Sequence, residues 1–211
     1  MADQPSPPSP ALSVAEGLVT QVSDEAVIDR CLQGDLECFS ILVDRYREAI
    51  YGFVRHLIGD PEEACDLAQE AFVRAYDALP RFRPGAKFSS WLYTIAANLC
   101  RSWLRKQKHR PLSLEELSPE GEPIGPEGSQ LEVASPEEIH AQREFRRRVL
   151  QAVNQLPTKY RLVVILRHLN DLSYQEMAEV LNLPVTTVEH RLRTAREMLR
   201  GKLRRELEGW L

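Results

Sequence analysis

The chain has 211 residues, 43% of them hydrophobic and 27% charged, with a formal net charge of −4. That is enough apolar material for one large or two small folded domains. No apolar run is long enough to span a bilayer, and the N-terminus lacks the basic-then-apolar pattern of a secretory signal, so a cytoplasmic protein without membrane insertion is expected.

The small net charge hides a strong segregation of sign. Residues 23–79 carry thirteen acids and five bases, 81–110 eight bases and no acid, 111–138 eight acids and no base, and 191–205 seven bases against Glu197. Such blocks imply separate surfaces for different partners. The four cysteines, Cys31, Cys38, Cys65 and Cys100, make no close pair and no zinc-finger spacing, which suits reduced, mostly buried thiols. His56, His109, His140, His168 and His190 are scattered. No nucleophile–base signature, phosphate loop or metal-ligand cluster accompanies them, so neither an enzyme nor a cofactor is expected.

In chain order, residues 1–22 are interrupted by Pro5, Pro7, Pro8 and Pro10 and read as a disordered extension. From Ser23 the period becomes helical. Ser23 caps a helix ending at Gly34, and Asp35 starts a second with Phe39, Leu42, Tyr46, Ile50, Phe53, Val54 and Leu57 on its core face. Asp60-Pro61-Glu62-Glu63 is a cap, a first-turn proline and two acids that complement the helix dipole. The third helix runs to about Leu79, with Asp66, Gln69, Glu70, Arg74 and Asp77 outward, as either a docking face or, with Arg74 beside the acids, a solvated one.

Residues 80–88 form a basic loop, and a fourth helix starts at Ser89 or Ser90 and runs to about Lys108, its later half strongly cationic. Cations interleaved with Phe82, Phe88, Trp91, Tyr93 and Trp103 suit a phosphate backbone and unpaired bases. Helical spacing makes Trp91 a core residue. Residues 111–135, rich in proline, glycine, serine and glutamate, form an acidic flexible linker of 25 residues, with a root-mean-square reach of about 25–30 Å.

Ser135-Pro136-Glu137-Glu138 opens a helix to about Leu156, and Pro157 opens the next, which ends at Asn170-Asp171. Residues 173–199 then make a helix-turn-helix. Ser173 and Glu176 form a capping box, Asn182 takes the left-handed position, and Pro184 leads into the second helix. Val185, Val188, Leu192, Ala195 and Leu199 form its buried stripe, while Thr186, Thr187, Glu189, His190, Arg193 and Thr194 point outward, where a recognition helix meets base edges. The fold expected is all-α, with two small helical domains, 23–110 and 136–211, joined by a flexible linker.

Three segments resemble a known family. Residues 66–76, DLAQEAFVRAY, resemble the core-polymerase-binding helix of bacterial sigma factors. Residues 88–98, FSSWLYTIAAN, resemble the segment that follows it in the two-domain extracytoplasmic-function group, and PVTTV at 184–188 with Arg191, Ala195 and Arg196 resembles that group's promoter-reading helix. The resemblance implies a subunit that binds core RNA polymerase through Asp66, Gln69, Glu70 and Asp77. It implies that Arg81, Arg83, Lys87, Phe88, Asn98, Arg101 and Arg105 read and open the minus-ten element. It assigns Thr186, Thr187, Glu189, His190, Arg191, Arg193 and Thr194 to the minus-thirty-five element. The partners implied are core polymerase, promoter DNA as duplex and melted strand, and an anti-sigma factor.

Two residues depart from the family pattern: His190 where serine is common, and Thr194 where a basic residue is common. Glu189 either accepts from a cytosine amino group or lowers affinity. The linker either follows the polymerase's RNA-exit path or is a plain spacer. The competing reading is an autonomous helix-turn-helix regulator, which would need a dimer surface or ligand pocket that the sequence does not display.

Overall fold

The computed structural model describes residues 22–107 and 136–208, and every regular element among them is helical. The extension (save Val22), the linker and Lys108 lie outside the described residues. The helices are α1 (Asp24–Leu32), α2 (Phe39–Ile58), α3 (Pro61–Ala78), α4 (Phe88–Gln107), α5 (Pro136–Asn154), α6 (Thr158–His168), α7 (Tyr174–Leu181) and α8 (Val185–Glu208). Short 3-10 turns at Leu36–Cys38 and Leu79–Arg81 precede α2 and follow α3.

Local chemistry sets the boundaries. The Ser23 hydroxyl accepts from the Ala26 amide at 3.3 Å, and the Asp60 carboxylate accepts from the Glu63 amide at 3.0 Å. Gly59 ends α2 at φ +92°, a conformation that costs a residue without a Cβ little. The second helix starts later than Asp35, because the Asp35 carboxylate turns to Arg30 and the Cys38 thiol and sets a 3-10 turn instead.

α2, α3 and α4 pack together, with α1 across α2. Asp24 joins them, accepting from both Arg45 and the Tyr46 hydroxyl. Leu42, Ile50, Phe53, Val54 and Leu57 of α2 are fully buried against Ala64, Ala71 and Ala75 of α3 and Leu92 and Ala96 of α4. The alanines let these backbones approach closely. Phe88 is the hub of an aromatic cluster, with ring centroids 5.6 Å from Tyr46, 5.8 Å from Trp91, 6.0 Å from Phe82 and 6.5 Å from Phe39.

In the second half, α8 packs on α6 and α7. Both halves of the capping box form: the Ser173 hydroxyl accepts from the Glu176 amide, and the Glu176 carboxylate accepts from the Ser173 amide at 2.8 Å. Asn182 stands at φ +51°, ψ +54°. The Pro184 carbonyl accepts from the Thr187 and Val188 amides, which begins α8. Val188, Leu192 and Ala195 are buried, whereas Val185 and Leu199 are only half-buried at the margins of the stripe. α6 stops at His168, earlier than expected, and Asp171 takes a positive φ of 52° in the connection to α7.

The two halves touch. α4 lies on α7 and α2 on α6, and their buried apolar residues make one continuous cluster.

Candidate nucleic-acid interface

Three surfaces carry the residues singled out by the sequence. On α3, Asp66, Gln69 and Asp77 are exposed and Glu70 is half-buried. Glu70 accepts from the Arg74 guanidinium at 2.7 Å, an exposed pair worth about 0.5 kcal/mol. At 100° per residue, Asp66, Glu70 and Asp77 share one face, and Val73 falls beside Asp66, between these acids and Gln69. Val73 is 55% exposed, an apolar side chain one turn from Gln69 and Glu70 on one side and from Tyr76 and Asp77 on the other. It was missed because a lone valine in a charged run invites no attention. The signal was its helical angle.

The second surface begins where α3 ends. Arg81, Arg83 and Lys87 are exposed around a turn in which the Ala86 amide reaches the Arg83 carbonyl at 3.2 Å. Pro84 and Gly85, at φ +80°, occupy the central positions that a type II turn requires. The Lys87 carbonyl accepts from the Trp91 amide, so α4 starts one residue before Ser89. Further along α4, Asn98, Arg101 and Arg105 recur on one stripe, with an Arg101-to-Asn98 hydrogen bond of 2.8 Å. The structure therefore brings six of the seven residues that the resemblance assigns to the minus-ten element onto the loop and the outer side of α4.

Phe88 is the exception and a correction. It is 2% exposed at the centre of the aromatic cluster. The earlier helix start puts it on the same stripe as Leu92 and Ala96, facing the core rather than a melted base. Burial also engages the other aromatics of this segment. Tyr93 packs edge-on against Phe53 at 5.3 Å, and Trp103 donates its indole N–H to Glu63 at 2.7 Å. Trp91, expected in the core, is half-buried against Phe82 and Phe88.

The third surface is the outer side of α8. Thr186, Glu189, His190 and Arg193 are exposed, and Thr187, Arg191 and Thr194 are half-buried on its flanks. The Arg101 guanidinium on α4 is pushed below its ordinary value, by burial first and then by the Arg191 charge. The interior, by contrast, has inert thiols. Cys31, Cys38 and Cys100 are buried and Cys65 is exposed, with burial pushing Cys100 up to about 12. Among the described residues no cluster of histidine, cysteine and acidic side chains could hold a metal ion, and no helix is long and apolar enough to cross a membrane.

Known proteins fit this arrangement. The family model for Sigma-70 region 2 matches residues 42–110, and that for Sigma-70, region 4, matches 146–199. The chain is 34% identical to the ECF RNA polymerase sigma-E factor of Escherichia coli K12 over 183 residues, covering 87% of this chain and 95% of that protein. It is 35% identical to the RNA polymerase sigma-H factor of Pseudomonas aeruginosa over 182 residues, covering 86% and 94%. Among solved structures it is similar to CnrH in complex with the cytosolic domain of CnrY, with a TM-score of 0.63 at 27% identity over 85% of this chain and 96% of that one. The fold is shared with the sigma factor RpoE of Bartonella quintana, solved with the anti-sigma factor NepR, with a TM-score of 0.58 at 22% identity over 79% and 96%. The chain belongs to the extracytoplasmic-function sigma factors of bacterial RNA polymerase, subunits that bind the core enzyme and direct initiation at specific promoters.

Proposed function

We propose how this chain divides that work. The domain formed by 23–110 holds core polymerase through the outward face of α3 and reads the minus-ten element through the loop and outer side of α4. The domain formed by 136–211 reads the minus-thirty-five element through α8, and the 111–135 linker lets the two reach separate stretches of DNA. The observation that carries the reading is the α3 face: exposed Val73, an apolar side chain with Gln69 on one side and the acids Asp66, Glu70 and Asp77 on the other. A basic helical partner complements it, the acids speeding encounter and Val73 holding the complex.

Arg81, Arg83, Lys87, Arg101 and Arg105 neutralise phosphates of the melted strand, with Asn98 as the polar reader beside them. On α8, Thr186 and Thr187 hold the backbone at the helix N-terminus, and Glu189, His190, Arg191, Arg193 and Thr194 face the groove. The protein works in the cytoplasm, catalyses no reaction of its own, answers to envelope or other stress, and is held inactive by an anti-sigma factor, as the solved relatives CnrH and RpoE are bound to their own partners.

Two substitutions test the division. Glu70→Lys is expected to weaken core binding in a pull-down or fluorescence titration and to leave minus-thirty-five binding intact. Arg193→Ala is expected to do the reverse. If either variant loses neither or both activities while still folded, the assignment of its surface is wrong.

A further inference from the structure

The outer side of α8 holds a charge that duplex DNA repels. Arg193, Arg196 and Arg200 are exposed along it, and Glu189 is exposed one turn before Arg193. Val188, Leu192 and Ala195 are buried, which fixes the rotation of the helix. At about 100° per residue, Glu189 and Arg193 lie about 40° apart on one outward flank.

A glutamate four residues before an arginine is the helical spacing that favours an ion pair. Glu70 and Arg74 on α3 close to 2.7 Å, and Glu144 and Arg148 on α5 close to 3.0 Å. Glu189 and Arg193 have the same spacing and stay apart. Neither side chain makes an ion pair or a hydrogen bond to a described residue. Both carboxylate oxygens and the guanidinium fork are left for whatever the helix meets.

The base edges of the major groove differ in how they receive a carboxylate. Guanine presents N7 and O6 and thymine presents O4, all acceptors that repel it. Adenine presents the N6 amino group with the N7 acceptor beside it. Cytosine presents the N4 amino group with no acceptor of its own alongside, so it best offsets the repulsion between Glu189 and the phosphates. Arg193 has the converse preference, because its fork matches guanine O6 and N7. Residues four apart are separated by about 6 Å along a helix axis, against a rise of about 3.4 Å per base pair. The two side chains therefore reach pairs one or two steps apart.

We propose that Glu189 selects a cytosine in the minus-thirty-five element and that Arg193 reads a guanine one or two pairs away. This specificity rests on the reading of α8 given above and adds the bases to it. Glu189 then works by exclusion as much as by attraction: at its position guanine and thymine leave a carboxylate facing acceptors, with no donor to satisfy it.

Core polymerase loaded with the full chain is equilibrated with promoter duplexes randomised across the upstream element, and the bound duplexes are sequenced. The natural chain is expected to prefer cytosine at one position by about five- to hundredfold. Glu189→Ala is expected to lose the preference at that position alone and to keep the guanine position. Glu189→Gln is expected to move the preference toward adenine, whose N6 and N7 fit a carboxamide. Arg193→Ala is expected to flatten the guanine position and spare the cytosine. Alanine and glutamine are good helix formers and both sites are exposed, so folding is not at stake. If Glu189→Ala binds every duplex more tightly with an unchanged base profile, Glu189 is only a brake on affinity and the proposal is overturned. A Glu189-dependent preference for a base other than cytosine overturns it as well. A natural chain that enriches no upstream element contradicts the assignment of α8 itself, and with it any base assigned to Glu189.

Discussion

Val73→Glu separates two ways in which the α3 face can work. If the face acts by charge alone, a further carboxylate strengthens its attraction for a basic partner. If Val73 is the apolar anchor, the same change weakens binding. Burying a whole valine side chain yields about 1.5–3 kcal/mol. Val73 is already partly covered, with 55% left to bury, so its own share is about 1 kcal/mol and a matching apolar patch on the partner adds a similar amount. The loss of about 2 kcal/mol is roughly thirtyfold in affinity, and a carboxylate stripped of water at that spot increases it. Val73→Ala is the milder control, with a loss of about fivefold. The fold is not at stake, because the side chain faces solvent and glutamate is a better helix former than valine. The melting temperature is therefore expected to move by no more than about 2 °C. Titration of labelled protein with core polymerase gives the affinity, and equal or tighter binding by Val73→Glu refutes the anchor.

Other consequences concern the fold and its pH response. Phe88→Ala is expected to cost about 3–5 kcal/mol in urea unfolding, whereas Phe88→Leu keeps most of the stability and promoter opening; a stable Phe88→Ala that fails only in DNA opening would restore Phe88 to the DNA surface. Asn182→Val forces a β-branched side chain into the left-handed position at φ +51° and is expected to destabilise by more than about 1 kcal/mol, while Asn182→Gly stays near the natural value. Burial pushes His56 and His168 below the ordinary histidine range, with nearby arginines adding to the effect. The folded chain therefore resists a proton that the unfolded chain accepts, and stability falls as pH drops through the unfolded value of about 6.5. The urea midpoint is expected to be lower at pH 5.5 than at pH 7.5, with a smaller difference in His56→Gln; a midpoint that rises on acidification contradicts this.

Much of this molecule was legible because its punctuation is local. Ser23, Asp60 and Ser173 each cap the helix that follows within three residues, and Asn182 and Gly59 take left-handed positions, one tolerated by asparagine and the other open to a residue without a Cβ. The acidic face of α3 followed from spacing alone. Phe88 was misplaced because a serine pair looked like the helix start, and a shift of one or two residues there decides whether an aromatic ring meets solvent or core. Asp35 misled for a similar reason, since its carboxylate found Cys38 and Arg30 rather than capping a helix directly. The contacts between the halves were beyond reach. Lys87, Asn170 and Arg161 are ordinary polar residues on ordinary elements, and what they meet (Glu176, the Tyr93 hydroxyl and the Leu57 carbonyl) lies 77 to 104 residues away.

Promoter selection by core polymerase is the decisive property of this chain. Core RNA polymerase is incubated with a library of bacterial genomic fragments, with and without the full chain, and the 5′ ends of the transcripts are sequenced. New start sites that share one upstream pair of sequence elements, present only with the chain and lost with Glu70→Lys or Arg193→Ala, are the expected result. The same start sites with and without the chain, from a core preparation that responds to another sigma factor, would contradict it.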